Sequence, residues 1–143
     1  MTIQQGQCTI FKQNCLKGLE NFAVGTPYTY KIALYSAAAN LDYTTTAYTT
    51  QNEITGTGYT AGGQALTISQ VPTYTPGTST AFISFANAVW NPASFTCRGA
   101  LIYNGTTNAA VAVLDFGNDK TALTTFTVTF PTASSTTAII RFS

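Results

Sequence analysis

The stretch FTCRGALIYNGTTNAAVAVLDF, residues 95–116, holds two apolar runs on either side of Asn104-Gly105. Phe95, Cys97, Gly99, Leu101 and Tyr103 recur at every second position, the period of a strand whose successive side chains point to opposite faces. Asn-Gly between two such runs is among the strongest short-range hairpin signals, because both residues tolerate positive φ. The spacing predicts an antiparallel pair whose second strand runs over Ala109–Phe116.

Period two also appears upstream, where Tyr28, Tyr30, Ile32 and Leu34 alternate with Thr29, Lys31, Ala33 and Tyr35, as in a half-buried strand. Further strands are expected near Ala65–Val71, over Thr80–Phe85, in the run that ends at Val89 and Trp90, and over Thr125–Phe130 and Ala138–Phe142. Pro72, Pro76, Gly77 and Asn91-Pro92 punctuate them. Ser36 to about Asn52 reads as a long Ala/Thr/Tyr connection. Gly56-Thr57-Gly58-Tyr59-Thr60-Ala61-Gly62-Gly63 supplies turn residues able to take positive φ. Near the start the period changes. Phe11, Cys15, Leu19 and Phe22 fall three to four residues apart, which predicts a short amphipathic helix over about residues 8–20, capped by Thr9 or a neighbour, with Gly18 weakening its last turn. Short strands at this spacing predict an all-β fold, a single antiparallel β-sandwich domain spanning 1–143, jelly-roll-like, with the helix covering one sheet or one end.

The chain has 143 residues, a net charge of +1, 8% charged residues, 13% aromatics and no histidine. About one residue in five is threonine, a strand former. General acid–base catalysis near neutral pH leans on histidine or on a carboxylate or lysine of shifted pKa, and the five acidic and six basic side chains leave few such constellations, so no catalytic residue is expected. Lys12, Lys17, Lys31, Arg98, Lys120 and Arg141 are scattered, whereas nucleic-acid binding needs clustered cations. Weak charge and hydroxyl-rich faces favour self-association. No run reaches the roughly 18 apolar residues of a membrane-spanning helix, and the start lacks the pattern of a secretion signal. Cys8, Cys15 and Cys97 are an odd set without C-x-x-C spacing and are read as free, mostly buried thiols of a protein made in a reducing cytosol.

Several segments resemble site motifs and fail in detail. The glycine-rich stretch at 56–63 has neither dinucleotide nor Walker spacing and no following lysine. Asp115-Phe116-Gly117 has the letters of a kinase motif without the rest of the set. Asp115, Asn118 and Asp119 offer oxygen ligands for calcium, but two carboxylates make a weak site, and a turn in which the aspartates cap backbone amides is preferred. Asn104-Gly105-Thr106 is a glycosylation sequon that reads better as a hairpin turn. Cys97 beside Arg98 has the neighbour that lowers a thiol pKa but no base, and reads as core. Trp90 and the tyrosines, Tyr74 among them, offer a sugar-stacking face, against the commoner role of strand aromatics as core or interface. No metal or other cofactor is expected.

Taken together, KIALYSAAANLDYTTTAYTTQNEITGTGYTAGGQAL, RGALIYNGTTNAAVAVLDFGNDK and the closing FTVTFPTASSTTAIIRF resemble a family of small virion proteins of tailed bacteriophages, and FKQNCLKGLENF is similar to the helix that begins them. The resemblance spans nearly the whole chain, with RGALIYN…AVAVLDFG its most specific block. It implies a structural protein of the particle, a capsid cement or decoration protein on the head. Its expected partners are the major capsid protein and further copies of itself, as dimer or trimer, with neither nucleic acid nor membrane. Assembly in the host cytoplasm is implied. The family brings no catalytic residues. A tail, neck or fibre module that binds a receptor or glycan is the alternative.

Overall fold

The structure is a computed structural model, and it describes residues 2–143. Its strands are β1 (Gly6–Gln7), β2 (Tyr30–Tyr35), β3 (Gln64–Ala65), β4 (Ile68–Tyr74), β5 (Ala81–Phe85), β6 (Ala88–Trp90), β7 (Phe95–Asn104), β8 (Ala110–Ala122), β9 (Phe126–Val128) and β10 (Ile140–Phe142). One helix, α1, covers Thr9–Leu16. The fold is all-β with a short helix. A five-stranded sheet in the order β1-β8-β7-β2-β3 faces a three-stranded sheet, β10-β5-β4, and a two-stranded ribbon, β6-β9. Their strand pairs are antiparallel.

The hairpin forms as its alternation predicts, with Leu101 opposite Val113 and Ile102 opposite Ala112. Its turn differs from a two-residue Asn-Gly turn. Residues 105–109 lie between the strands, positive φ falls on Asn108 (φ 65), and Asn104 Oδ1 accepts from the Thr106 and Thr107 amides at 2.9 and 3.3 Å. Asn104 therefore shapes the turn through its side chain, as an Asx cap does.

Strand β2 is not half-buried. It is buried at every position but Lys31. One face, with Tyr30, packs on the smaller sheet, where Phe85 lies 6.5 Å from Tyr30 between ring centroids. The other, with Tyr35, is roofed by the long 36–63 connection, through a Tyr35–Glu53 bridge and a Tyr35 hydroxyl that donates to Thr49 O at 2.7 Å. A loop covers this face, which is why alternation alone does not show both faces to be dry.

The helix is shorter than the 8–20 expectation. Lys17 caps it and Gly18 follows at φ +73, while the Gly18 amide donates to Cys15 O at 3.1 Å and the Leu19 amide to Asn14 O at 2.8 Å. Those two bonds make a Schellman ending, so glycine terminates the helix rather than merely weakening it. The N-cap is Cys8, without a side-chain cap bond, and Thr9 is already helical. Phe11 is fully buried but Leu19 is 44% exposed, so the expected apolar stripe is only partly inward, and Leu16, outside that stripe, is 91% exposed. Phe22, beyond the helix, is buried and stacks on Tyr30 at 4.3 Å.

Pro72 lies inside β4 rather than before a strand. It sits on an outer strand of the smaller sheet and within a register shift between Gln70 and Thr73, the kind of site where a missing N–H costs no ladder bond. Asp115–Asp119 is likewise no turn between strands. It is a bulge within β8, where Arg98 alone opposes residues 116–119, with Gly117 at φ +84.

Candidate functional site

The carboxylate with the most hydrogen bonds is that of Glu53, a residue the sequence reading passed over. Its Oε1 accepts from the Tyr59 hydroxyl at 2.6 Å and the Gly62 amide at 2.7 Å, and its Oε2 from the Tyr48 hydroxyl at 2.6 Å. Tyr59 in turn accepts from the Leu34 amide of β2 at 2.9 Å, and Tyr103 of β7 donates to Gly62 O at 2.6 Å while stacking on Tyr48 at 4.7 Å. Burial pushes the Tyr35, Tyr48 and Tyr59 hydroxyls well above the ordinary tyrosine value, and Tyr103 up to about 12. Three donors converge on one carboxylate. The arrangement fastens the 36–63 roof onto the large sheet, which is structural chemistry. The signal in sequence was faint: a single acid between Asp42 and Asp115, set among tyrosines and threonines.

A second node ties the turn after α1 to the hairpin. Asn104 Nδ2 donates to Glu20 Oε1 at 2.7 Å. Burial raises the Glu20 pKa against the lowering influence of Asn104 and Tyr30. Asn104 is fully buried, so its amide is committed to this contact and to the turn, and the sequon is a hairpin feature.

The other sequence candidates are not brought together. Gly56, Gly58, Gly62 and Gly63 all take positive φ, as expected of turn residues. Asp115 accepts from the Gly117 amide at 2.9 Å and lies 3.5 Å from Arg98 Nε, a contact without hydrogen-bond alignment between partly exposed groups. Among the described residues, no group of three or more His, Cys, Asp or Glu is placed to hold a metal ion. Cys97 is fully buried, and its thiol pKa is pushed up to about 12 by that burial and by the charge of Asp119. The neighbour Arg98 does not activate it. Trp90, offered as a sugar platform, is buried at 5% exposure between Tyr59 and Phe126 and is unavailable as a ligand face; Tyr74 is exposed at 67%.

What remains open to partners is surface. Leu16, Val24 and Leu123 are more than four-fifths exposed, and Tyr43, Val89 and Phe142 about half. A groove of about 310 Å³ runs between β1 and β10, lined in part by Gln7, Thr80, Ala112, Ile139 and Arg141. No helix among the described residues is long and apolar enough to cross a membrane. Neither protein-family models, nor curated proteins, nor solved structures give a match to this chain.

Proposed function

We propose that this chain is a structural protein of a bacteriophage virion, a capsid cement or decoration protein that binds the major capsid protein lattice and associates with its own copies as dimer or trimer. The observation that carries the reading is the exposure of large apolar side chains, Leu16, Val24 and Leu123 foremost, on a chain with 8% charged residues. Such side chains cost free energy in water and gain it when covered. The polar clusters, centred on Glu53 and Asn104, are spent on holding loops to the sheet, which fits a role exercised through contact rather than catalysis. The sequence resemblance to small virion proteins supports the same reading.

Mechanism in such a role is geometry and many weak contacts. A protomer or small oligomer that touches two or three capsid sites gains avidity of roughly 10² to 10⁴ over a single contact. Few charges are available for screening, so the binding should depend weakly on salt.

The test is binding of the purified protein to assembled heads that carry the matching capsid protein, with imaging of labelled virions. Saturation at a copy number tied to capsid symmetry, and readier DNA loss on heating from virions that lack the protein, are the expected results. Label confined to the tail, with heads binding none, would replace this reading by a tail or fibre module.

A further inference from the structure

The groove between β1 and β10 separates the outer strand of the large sheet from the outer strand of the smaller one. The Cys8 amide donates to Val111 O in β8 at 2.9 Å. In an antiparallel strand both polar groups of a residue point the same way and alternate along the chain, so Gly6 bonds inward and the N–H and C=O of Gln7 point into the groove. On the opposite lip, the Arg141 carbonyl points away from β5, because it accepts from the Gln7 side chain, Nε2 to O, at 3.0 Å. Two sheet edges thus face each other across an opening, bridged by one glutamine side chain and no backbone bond among the described residues.

Paired strands lie about 4.8 Å apart, so a strand seated between two others needs about twice that distance. One glutamine side chain with its hydrogen bond bridges the opening, whose volume is about 310 Å³. Both lips are short, at two and three residues, and Arg141 is their one charged side chain, but neither carries the proline or the register shifts that interrupt β4. Arg141 is exposed, and its only polar side-chain contact among the described residues is a 3.4 Å bond to Ser135 O.

We propose that this groove is a strand-acceptor site. It takes an extended segment of a partner polypeptide by β-augmentation, with main-chain bonds to Gln7 on one side and Arg141 on the other. The segment displaces the Gln7 amide, which serves as placeholder. It carries small or β-branched side chains where Thr80, Ala112 and Ile139 line the groove, and a carboxylate opposite the Arg141 guanidinium. The proposal stands whether or not the chain sits on a capsid.

The experiment uses the full chain and a capped seven-residue peptide of alternating threonine and valine with a central glutamate. Backbone amide spectra and hydrogen exchange are recorded with and without it. Gln7 and Arg141 amides should shift and gain at least tenfold protection, and the same peptide methylated on alternate backbone nitrogens should leave them unchanged. Arg141→Glu, an exposed substitution, should weaken binding by about tenfold and a lysine-centred peptide should recover it. The site is overturned if the peptide protects neither amide, if protection falls equally on β3 or β4, or if it rises with protein concentration alone, which would make the occupant a second copy.

Discussion

The Tyr59 hydroxyl stands between β2 and Glu53, accepting from the Leu34 amide at 2.9 Å and donating to Glu53 Oε1 at 2.6 Å. A loop residue thereby completes the hydrogen bonding of a central strand. Removing the carboxylate strands three donors at once, those of Tyr48, Tyr59 and the Gly62 amide. Glu53→Ala should cost about 1–3 kcal/mol, the range for leaving polar groups without their partner, because Glu53 itself is only half-buried, and Glu53→Gln less, since one acceptor survives. Denaturant unfolding measures both; a Glu53→Ala midpoint equal to the native one would show that the roof is held by packing alone.

Stability should fall in alkali. Burial, the leading cause in each case, raises the Cys8 and Cys15 thiols to about 11, Cys97 to about 12 and Tyr103 to about 12, with Tyr30, Tyr35, Tyr48 and Tyr59 raised further. In the unfolded chain the same groups ionise near their ordinary values of 9.0 and 10.0. Between those values and the folded ones, the folded state holds more protons, so its stability is fully present below about pH 9 and is lost as pH rises toward 12. Melting temperature against pH should decline through that window while ultraviolet titration shows tyrosines ionising together with unfolding. Smooth ionisation with the fold intact would place those hydroxyls in water.

Glycines with positive φ differ in what they permit. A Cβ on Gly63 (φ +74) would meet the Ile32 carbonyl, and one on Gly58 (φ +85) the Pro92 carbonyl, whereas Gly77 (φ +88) has open space around it. Gly63→Ala combines strain with a backbone collision and should cost about 3 kcal/mol or more. Gly77→Ala should cost about 1–2 kcal/mol, the left-handed penalty alone. Thermal melts of the two variants compare them directly, and equal losses would mean that the loop moves aside at Gly63.

The place of the hairpin was legible because two alternating runs flank Asn104-Gly105, whereas its longer turn, with positive φ on Asn108, was not. The helix was legible but its end was not: Gly18 reads as weakening a last turn, and in the fold it stops the helix in a Schellman ending. The burial of both faces of β2 was not legible, since the second face is covered by a loop whose path has no period. Glu53 was missed for the same reason: its partners Tyr48, Tyr59 and Gly62 are spaced irregularly and converge only once Tyr35 and Tyr103 fix the sheet beneath them. Trp90 takes the core role that strand aromatics commonly have rather than that of a sugar platform, but its neighbours were not legible. A lone tryptophan two residues before a proline gives no hint that Tyr59 and Phe126 enclose it.

Free thiols are the expected state of all three cysteines, since Cys8 and Cys97 are buried, Cys15 is half-buried and none is bridged. Thiol titration of denatured protein without reductant should find three groups. In the folded protein near pH 8, labelling should be slow at Cys15 and slower still at Cys8 and Cys97, because raised pKa and burial both deplete accessible thiolate. Fast labelling of Cys97 would mean that β7 opens readily.

Helix α1 presents two apolar residues with opposite environments, and they separate folding from assembly. Phe11 is fully buried, with Phe22 at 5.9 Å and Phe142 at 5.7 Å between ring centroids, while Leu16 is 91% exposed. Phe11→Ala should cost about 3–5 kcal/mol, since it removes the transfer free energy of the ring and leaves a cavity among aromatic neighbours. Leu16→Ser touches no core and should leave monomer stability within about 0.5 kcal/mol. If the exposed face is covered in an assembly, Leu16→Ser instead weakens association, visible by sedimentation at concentrations where the native protein is oligomeric, with the melting curve of the dissociated chain unchanged. A native protein that sediments as a monomer at every concentration, and a Leu16→Ser variant that binds heads as the native does, would remove this helix face from any interface.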